Sequence, residues 1–510
     1  MKMKGLLLGS AAGIVALTGV AQAADLPVKA RAVEYVRICS IYGEGFYYLP
    51  GTETCLKVGG YVRAEWGFNA GGSHGPNVSG QRGRDNREDT PNYFARVRGI
   101  VSWDARSQTE YGTLRAYIRF GHEFNSGDAS YVGVIYSDRA FIQLGGWTFG
   151  KQQSFFDFYA NALNMSTLLG GGSMNSTGVN LLSYTFNFGG GFSATLSAED
   201  TTHHRAGIFD ANTIATNPVG AGTGLTLSAV GGLPAPNFGN YRAAAYPDVI
   251  GNLRVDQPWG SAQISAALHD ASGSYNGPGL LGARAANREG FAVQGGVKFN
   301  LPWAQGDSLW LQAAYANGAV HYLGYNPYVH FGGQFAMFRG GPPAGGCPAG
   351  TVCGNLGAAW AYDAIFDATT GTHLTSGCAF LAAVQHYWTP AVRSTVFGHY
   401  TSVNYNAGGT AAFCRGGTVA GAGTTGNIST AALAVCNPDF RVFQIGSNTY
   451  WSPVRNLDIG VEVLYTRLDQ SHVGNWTTTA VQGARPAGLY TARDTDIFSG
   501  NLRFQRNFWP

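Results

Sequence analysis

Residues 55–69, CLKVGGYVRAEWGFN, alternate without a break between two kinds of side chain. Leu56, Val58, Gly60, Val62, Ala64, Trp66 and Phe68 are apolar or small, and between them stand Lys57, Tyr61, Arg63, Glu65 and Asn69. Successive residues of a strand point to opposite faces, so this period of two makes a ribbon with one greasy and one charged side. The pattern recurs. Tyr93, Ala95, Val97, Val101 and Trp103 oppose Arg96, Arg98, Ser102, Asp104 and Arg106, and Leu114, Ala116, Ile118 and Phe120 oppose Arg115, Tyr117 and Arg119. Further alternations carry Phe192–Ala198, Phe291–Phe299 and Leu457–Tyr465.

Walking this alternation predicts sixteen strands, near 55–69, 92–106, 112–124, 137–145, 147–154, 179–188, 192–200, 247–256, 261–270, 290–300, 308–318, 378–388, 392–404, 440–451, 457–468 and 496–508. Connections alternate too. Gly189-Gly190-Gly191, Gln257-Pro258-Trp259 and Thr389-Pro390-Ala391 are short, whereas 70–91, 201–246, 319–377 and 405–440 are long and polar or Gly-rich. Short turns at one end and long loops at the other mark an up-and-down meander.

A soluble sandwich also alternates, its charged face simply solvated. Four features favour a membrane. The strands run about 10 to 14 residues, suited to a tilted crossing. Arg63, Arg98, Arg115, Arg119, Asp256 and Glu462 stand on the polar face, where a water-filled lumen tolerates them and a solid core does not. Trp66, Phe68, Trp103, Tyr387, Trp388, Tyr450, Trp451, Phe508 and Trp509 cluster near strand ends, as interfacial girdles do. The N-terminus is an export signal: Lys2 and Lys4, an apolar run from Leu6 to Val20, then Ala21-Gln22-Ala23, with cleavage expected after Ala23. Lipid then offers no partner for an open sheet edge, so the first and last strands must pair. The expected fold is all-β, a 16-stranded antiparallel transmembrane β-barrel with short periplasmic turns and long extracellular loops. Residues 1–23 are the signal peptide, 24–54 an N-terminal periplasmic segment and 55–510 the barrel.

A formal net charge of +3 over 510 residues gives no reason to expect nucleic acid as a partner. Seven cysteines in an exported chain are compatible with disulfides. Cys39 and Cys55 flank a compact segment, Cys414 and Cys436 bracket a loop, and Cys347 and Cys353 lie close together; Cys378 is left over or competes for one of the Cys347/Cys353 pair. No CxxC and no His at ligand spacing points to a metal, and no cofactor is expected. Gly71-Gly72-Ser73-His74-Gly75 fits GxSxG without a following helix, Gly421–Gly426 fits GxGxxG without a βαβ unit, and His203-His204 is adjacent rather than ligand-spaced. No catalytic residue is expected, and the chain reads as no enzyme.

VRICSIYGEGFYYLPGTETCLKVGGYVRAEW (36–66) closely resembles the N-terminal signature of the rhizobial and brucella-type alphaproteobacterial porins. RAFIQLGGWTFGKQQSFFDF (139–158), QHYWTPAVRSTVFGHY (385–400), LDIGVEVLYTRLDQ and the ending RFQRNFWP are similar to further stretches of that family. The resemblance implies an outer-membrane general-diffusion porin among lipid and lipopolysaccharide, a homotrimer, with the third loop folded into the lumen as an eyelet. The departures lie in loops 201–246, 319–377 and 405–436.

Strand parity turns Arg63, Arg96, Arg98, Arg115, Arg119 and Arg139 inward from four consecutive strands, a wall of permanently charged guanidiniums. The third loop is expected at about 155–178, with Asp157 as its acid. The resemblance implies loop acids set across the pore from the basic wall; because this loop is acid-poor, Glu65, Asp104 and Glu199 are candidates to supply the opposing charge. Lys151 shares parity with the lipid-facing Trp147 and Phe149, which requires either a bulge or snorkelling. The expected function is passive diffusion of small hydrophilic solutes and ions. A substrate-specific channel, for a sugar for instance, would use lumenal aromatics such as Tyr61 and Tyr117; an outer-membrane lipase-like enzyme or an adhesin would be the readings from other classes.

Overall fold

In a computed structural model, the described residues are 37–70, 75, 76, 78, 93–126, 134–166, 168, 178–200, 202, 204–211, 241, 244–273, 286–325, 334–340, 347–348, 350–367, 369–415, 418–420, 427–478 and 488–508. The signal peptide, residues 71–74 of the GxSxG match, the GxGxxG match, His203 and Trp509 lie outside them.

Sixteen strands close into one antiparallel ring. They are β1 (Cys55–Phe68), β2 (Tyr93–Thr109), β3 (Gly112–Asn125), β4 (Val134–Leu144), β5 (Trp147–Gln152), β6 (Val179–Gly189), β7 (Phe192–Asp200) and β8 (Asp248–Gln257). Then follow β9 (Gly260–Asp270), β10 (Glu289–Asn300), β11 (Ser308–Asn317), β12 (Gly371–Thr389), β13 (Val392–Tyr405), β14 (Phe440–Val454), β15 (Leu457–Gln470) and β16 (Thr495–Asn507). Each pairs with its sequence neighbour, and β1 pairs with β16 from Phe68↔Gly500 to Tyr61↔Asn507, so no edge is left to lipid. The expected spans agree within a few residues except β12, which starts seven residues before the expected 378 because its outer end pairs with 364–367 beyond the membrane. At the seam Gly60 is required: a Cβ there would collide with the Ile100 carbonyl and the Phe508 ring.

Burial is inverted relative to a soluble protein. Ile264, Leu253, Leu196, Val461 and Val463 are exposed, Ile264 by 68%, while Glu65, Gln263, Gln294, Gln444, Asn448 and Glu462 are buried, Glu462 at 1%. Apolar outside and polar inside is the signature of a cylinder solvated by hydrocarbon. Among the expected girdle residues, Trp66, Phe68, Trp103, Trp388, Trp451 and Phe508 are exposed. Tyr387 and Tyr450 instead sit on the inward parity of β12 and β14, and Tyr450 receives a hydrogen bond from Arg503 Nη1 at 3.2 Å.

The described parts of the long loops form a cap. Residues 334–339, 352–360, 488–492, 473–478, 427–429, 418–420 and 433–435 form a second sheet, in which 352–360 and 488–492 run parallel. Strand 364–367 pairs with 208–210 and with the outer end of β12. Trp360, Trp476, Phe413, Tyr325, Phe335 and Tyr490 fill the cap's core, which is continuous with the inward Ile250, Ala267, Ala292, Ala316, Val403, Phe440 and Leu468 of the barrel wall. Apolar residues therefore line the outer end of the lumen along β8–β15, where the cap is socketed. Disulfides Cys347–Cys353 and Cys414–Cys436 tie the cap, Cys39–Cys55 ties the N-terminal segment to β1, and Cys378 is a free thiol.

Candidate functional site: an arginine wall and an inward loop

On β1–β4 and β16 the polar face carries three ion-pair clusters. Glu65 Oε2 accepts from Arg96 Nε (2.8 Å) and Nη2 (2.6 Å), and its Oε1 accepts from Arg503 Nε at 2.5 Å. Arg63 donates to Gln505 Oε1 at 2.7 Å and lies 3.9 Å from Glu65. Arg98 donates through Nε to Glu123 at 2.6 Å, and Arg96 Nη1 is 3.5 Å from the same carboxylate. Arg106 and Arg115 both fork onto Asp104, at 2.7 to 3.0 Å, and Arg119 reaches Asp138 at 3.1 Å. Eight guanidiniums, those of Arg63, 96, 98, 106, 115, 119, 139 and 503, thus meet four carboxylates, those of Glu65, Asp104, Glu123 and Asp138. The wall keeps an excess of four positive charges.

Asp138 could not be seen from parity. Arg119 pairs with Arg139 and Phe120 with Ser137, so Asp138 is a bulged residue that the ladder skips. The extra residue turns both Asp138 and Arg139 inward. Lys151, on the adjoining strand, directs Nζ to the carbonyl of Ser137 at 3.1 Å, beside that bulge.

The third loop, after β5, folds inside the cylinder. Phe155 N donates to Glu199 at 3.0 Å; Ser265 and Gln294 donate to the Phe156 carbonyl at 2.9 and 2.6 Å; Tyr159 N donates to Gln312 at 3.0 Å. Across the lumen, Met165 N and Ser166 N each donate to Glu462 at 2.6 Å, Asn448 donates to the Leu163 carbonyl at 2.8 Å and Asn501 to Ser166 Oγ at 2.8 Å. Gly296 and Gly460 lack side chains where Phe158 and Met165 come down; a Cβ at either would overlap them. Tyr159 and Leu168 pack on Leu381, Ala383, Phe397 and Leu464. The loop thus lies against β7–β15.

Asp157 is 7% exposed and accepts from Gln153, whose own oxygen accepts from Arg139 Nη2 at 2.5 Å. It is joined to the basic wall rather than set across from it. Glu65 and Asp104 lie within that wall, and Glu199 holds the base of the loop. Tyr61 and Tyr117 are covered by guanidiniums, Arg63 at 4.7 Å from the Tyr61 ring and Arg115 at 5.0 Å from that of Tyr117. Inward residues of β7–β11 such as Thr195, Gln263, Gln294 and Gln312 are sealed under the loop and cap, whereas Arg63, Arg115 and Arg119 keep 17, 24 and 34% of their side-chain surface open. Side-chain surface thus stays open at these arginines where it is covered along β7–β11.

A family model described as "Porin subfamily" matches residues 25–501. Porin Omp2b of Brucella suis and that of Brucella neotomae are each 32% identical over 356 residues, covering 67% of this chain and 80% of theirs. Among solved structures, the outer membrane channel DcaP of Acinetobacter baumannii aligns with a TM-score of 0.51 at 14% identity, over 90% of this chain and 99% of that one, which is a likeness of fold.

Proposed function

This chain belongs to the porin subfamily and forms an outer-membrane channel for passive diffusion of small hydrophilic solutes, and we propose that its narrowest passage lies between the third loop and the arginine wall, and favours anions. The observation that carries this is the surplus of guanidinium over carboxylate on β1–β4 and β16, beside the part of the lumen that the loop and cap leave open. Fixed charge lining a narrow aqueous path raises the local concentration of counter-ions and repels co-ions. Arg63, Arg98, Arg115, Arg119 and Arg139 set the attraction; Glu65, Asp104, Glu123, Asp138 and Asp157 temper it. Because each guanidinium is already shared with a carboxylate or amide, the preference is weak, as suits a general pore. The homotrimer is part of this reading, resting on resemblance to porins of this family.

Planar-bilayer recording of the purified protein tests the proposal. Discrete ohmic steps with a reversal potential on the anion side in a KCl gradient are expected. A cation-side reversal potential would overturn the assignment of the wall, and blockade by one sugar at low concentration would favour a substrate-specific channel. Cross-linking in detergent checks the trimer.

A further inference from the structure

Away from the arginine wall, four side chains meet in a buried box where the cap enters the barrel. Asp248 (β8) and His269 (β9) point inward, one step beyond the Val249↔Leu268 pair. His321 comes from a 3-10 turn at Val320–Leu323, and Asp363 from the segment just before strand 364–367. All four are 2% exposed or less. His269 Nδ1 is hydrogen-bonded to Asp248 at 2.9 Å, and its Nε2 lies 3.0 Å from Tyr241 Oη and 3.7 Å from Asp363. Tyr322 donates to Asp248 at 2.7 Å and Tyr241 to Asp363 at 2.6 Å.

His321 is the anomaly. Its Nε2 stands 3.8 Å from Asp248 and its Nδ1 3.8 Å from Asp363, and neither nitrogen makes a hydrogen bond. A fully buried imidazole with both nitrogens unsatisfied is costly and rare. Such separations are too long for hydrogen bonds. They approach the distance between two ligands on one ion, about 3.3 Å along the edge of a tetrahedron with bonds of about 2.0 Å. Ligand atoms of Asp248, His269 and His321 all fall within 4.8 Å of one another.

We propose that Asp248, His269 and His321 bind one divalent transition-metal ion of the Zn2+ class, which staples the cap to the barrel wall. Two imidazoles and a carboxylate are the donor set such an ion prefers. Tyr322 donates to the ligand Asp248, an outer hydrogen bond of the kind that orients metal ligands, and Asp363, itself held by Tyr241, stands 3.8 Å from the far nitrogen of His321. The cation also answers the charge of two carboxylates buried together. Spacing along the chain hid the site, because two ligands belong to adjacent barrel strands and the third to a loop some fifty residues on.

The test refolds the tag-free, full-length protein in detergent with Zn2+ or Co2+ present, then strips loosely held ion on a chelating resin. Expected are about one Zn2+ per chain by mass spectrometry, and, for Co2+, the visible absorption of a tetrahedral nitrogen/oxygen site. His321→Asn should lower both to background while keeping the heat-modifiable barrel. Sub-stoichiometric metal in the unmutated protein, including a box that merely takes up a proton, overturns the proposal, as does equal uptake by His321→Asn. If that variant fails to fold, the unmutated protein decides: no Co2+ band and no metal-dependent protease protection of 473–492 would sink it.

Discussion

Glu462 accepts the backbone N–H of Ser166 at 2.6 Å, and that of Met165 at the same distance, although nearly three hundred residues separate the strand from the loop. Hydrogen bonds to an ionised acceptor are worth about 1.5–3 kcal/mol each. Glu462→Ala removes these two and the bond from Asn448 Nδ2 at 3.0 Å, leaving the loop's far end held by Asn448 on the Leu163 carbonyl and Asn501 on Ser166. Unit conductance should rise, with added open-state noise, in single-channel traces. Glu462→Gln, which keeps an acceptor, should do less.

Arg115 and Arg119, both on β3, keep 24 and 34% of their side-chain surface open. Replacing both by Gln should move the reversal potential towards cations by removing two fixed charges. Because the Debye length falls to about 3 Å at 1 M salt, the shift should shrink there relative to 0.1 M. A shift of equal size at both concentrations would point to altered pore shape rather than to charge.

Glu65 binds Arg96 of β2 on one oxygen and Arg503 of β16 on the other, across the seam. Glu65→Gln leaves two buried guanidiniums short of charge, a loss of about 3–5 kcal/mol when a buried pair is broken. The heat-induced mobility shift on gels should occur at lower temperature, and anion preference should increase.

The cap should weaken in acid before the barrel does. His472 is buried against Trp476 and Phe413, accepts the Asn437 N–H on Nδ1, and burial pushes its pKa down from 6.5 to about 3. Well above pH 6.5 the ring is neutral whether folded or not, so the cap is at full stability. As pH falls towards 3, the unfolded cap takes up protons that the folded cap refuses, and stability drops by on the order of a few kcal/mol. Hydrogen exchange should show 473–478 deprotected near pH 4 while β12 and β13 stay protected.

The barrel was legible because its determinant is local: a two-residue period persists through each strand whatever the loops do. Arg63, Arg96 and Arg98 could be placed inward by parity alone. Parity failed at Asp138, where a skipped residue resets the count without any mark in composition, and Tyr450 was misplaced because its position near a strand end, not its parity, suggested a lipid interface. Glu462 was visible as an inward acid but not as the loop's anchor, since its partners are backbone amides. The cap was opaque for another reason. Its short strands pair across three loops, and Gly/Ala-rich stretches such as 352–360 show no period of their own.

Strand 352–360 arises between β11 and β12, and its parallel neighbour 488–492 between β15 and β16. Their ladder is a lintel across the doorway, made of segments that meet only once the hairpins beneath them stand in place. Thereafter the rim resists widening, because spreading the staves would first have to unzip the beam that joins them.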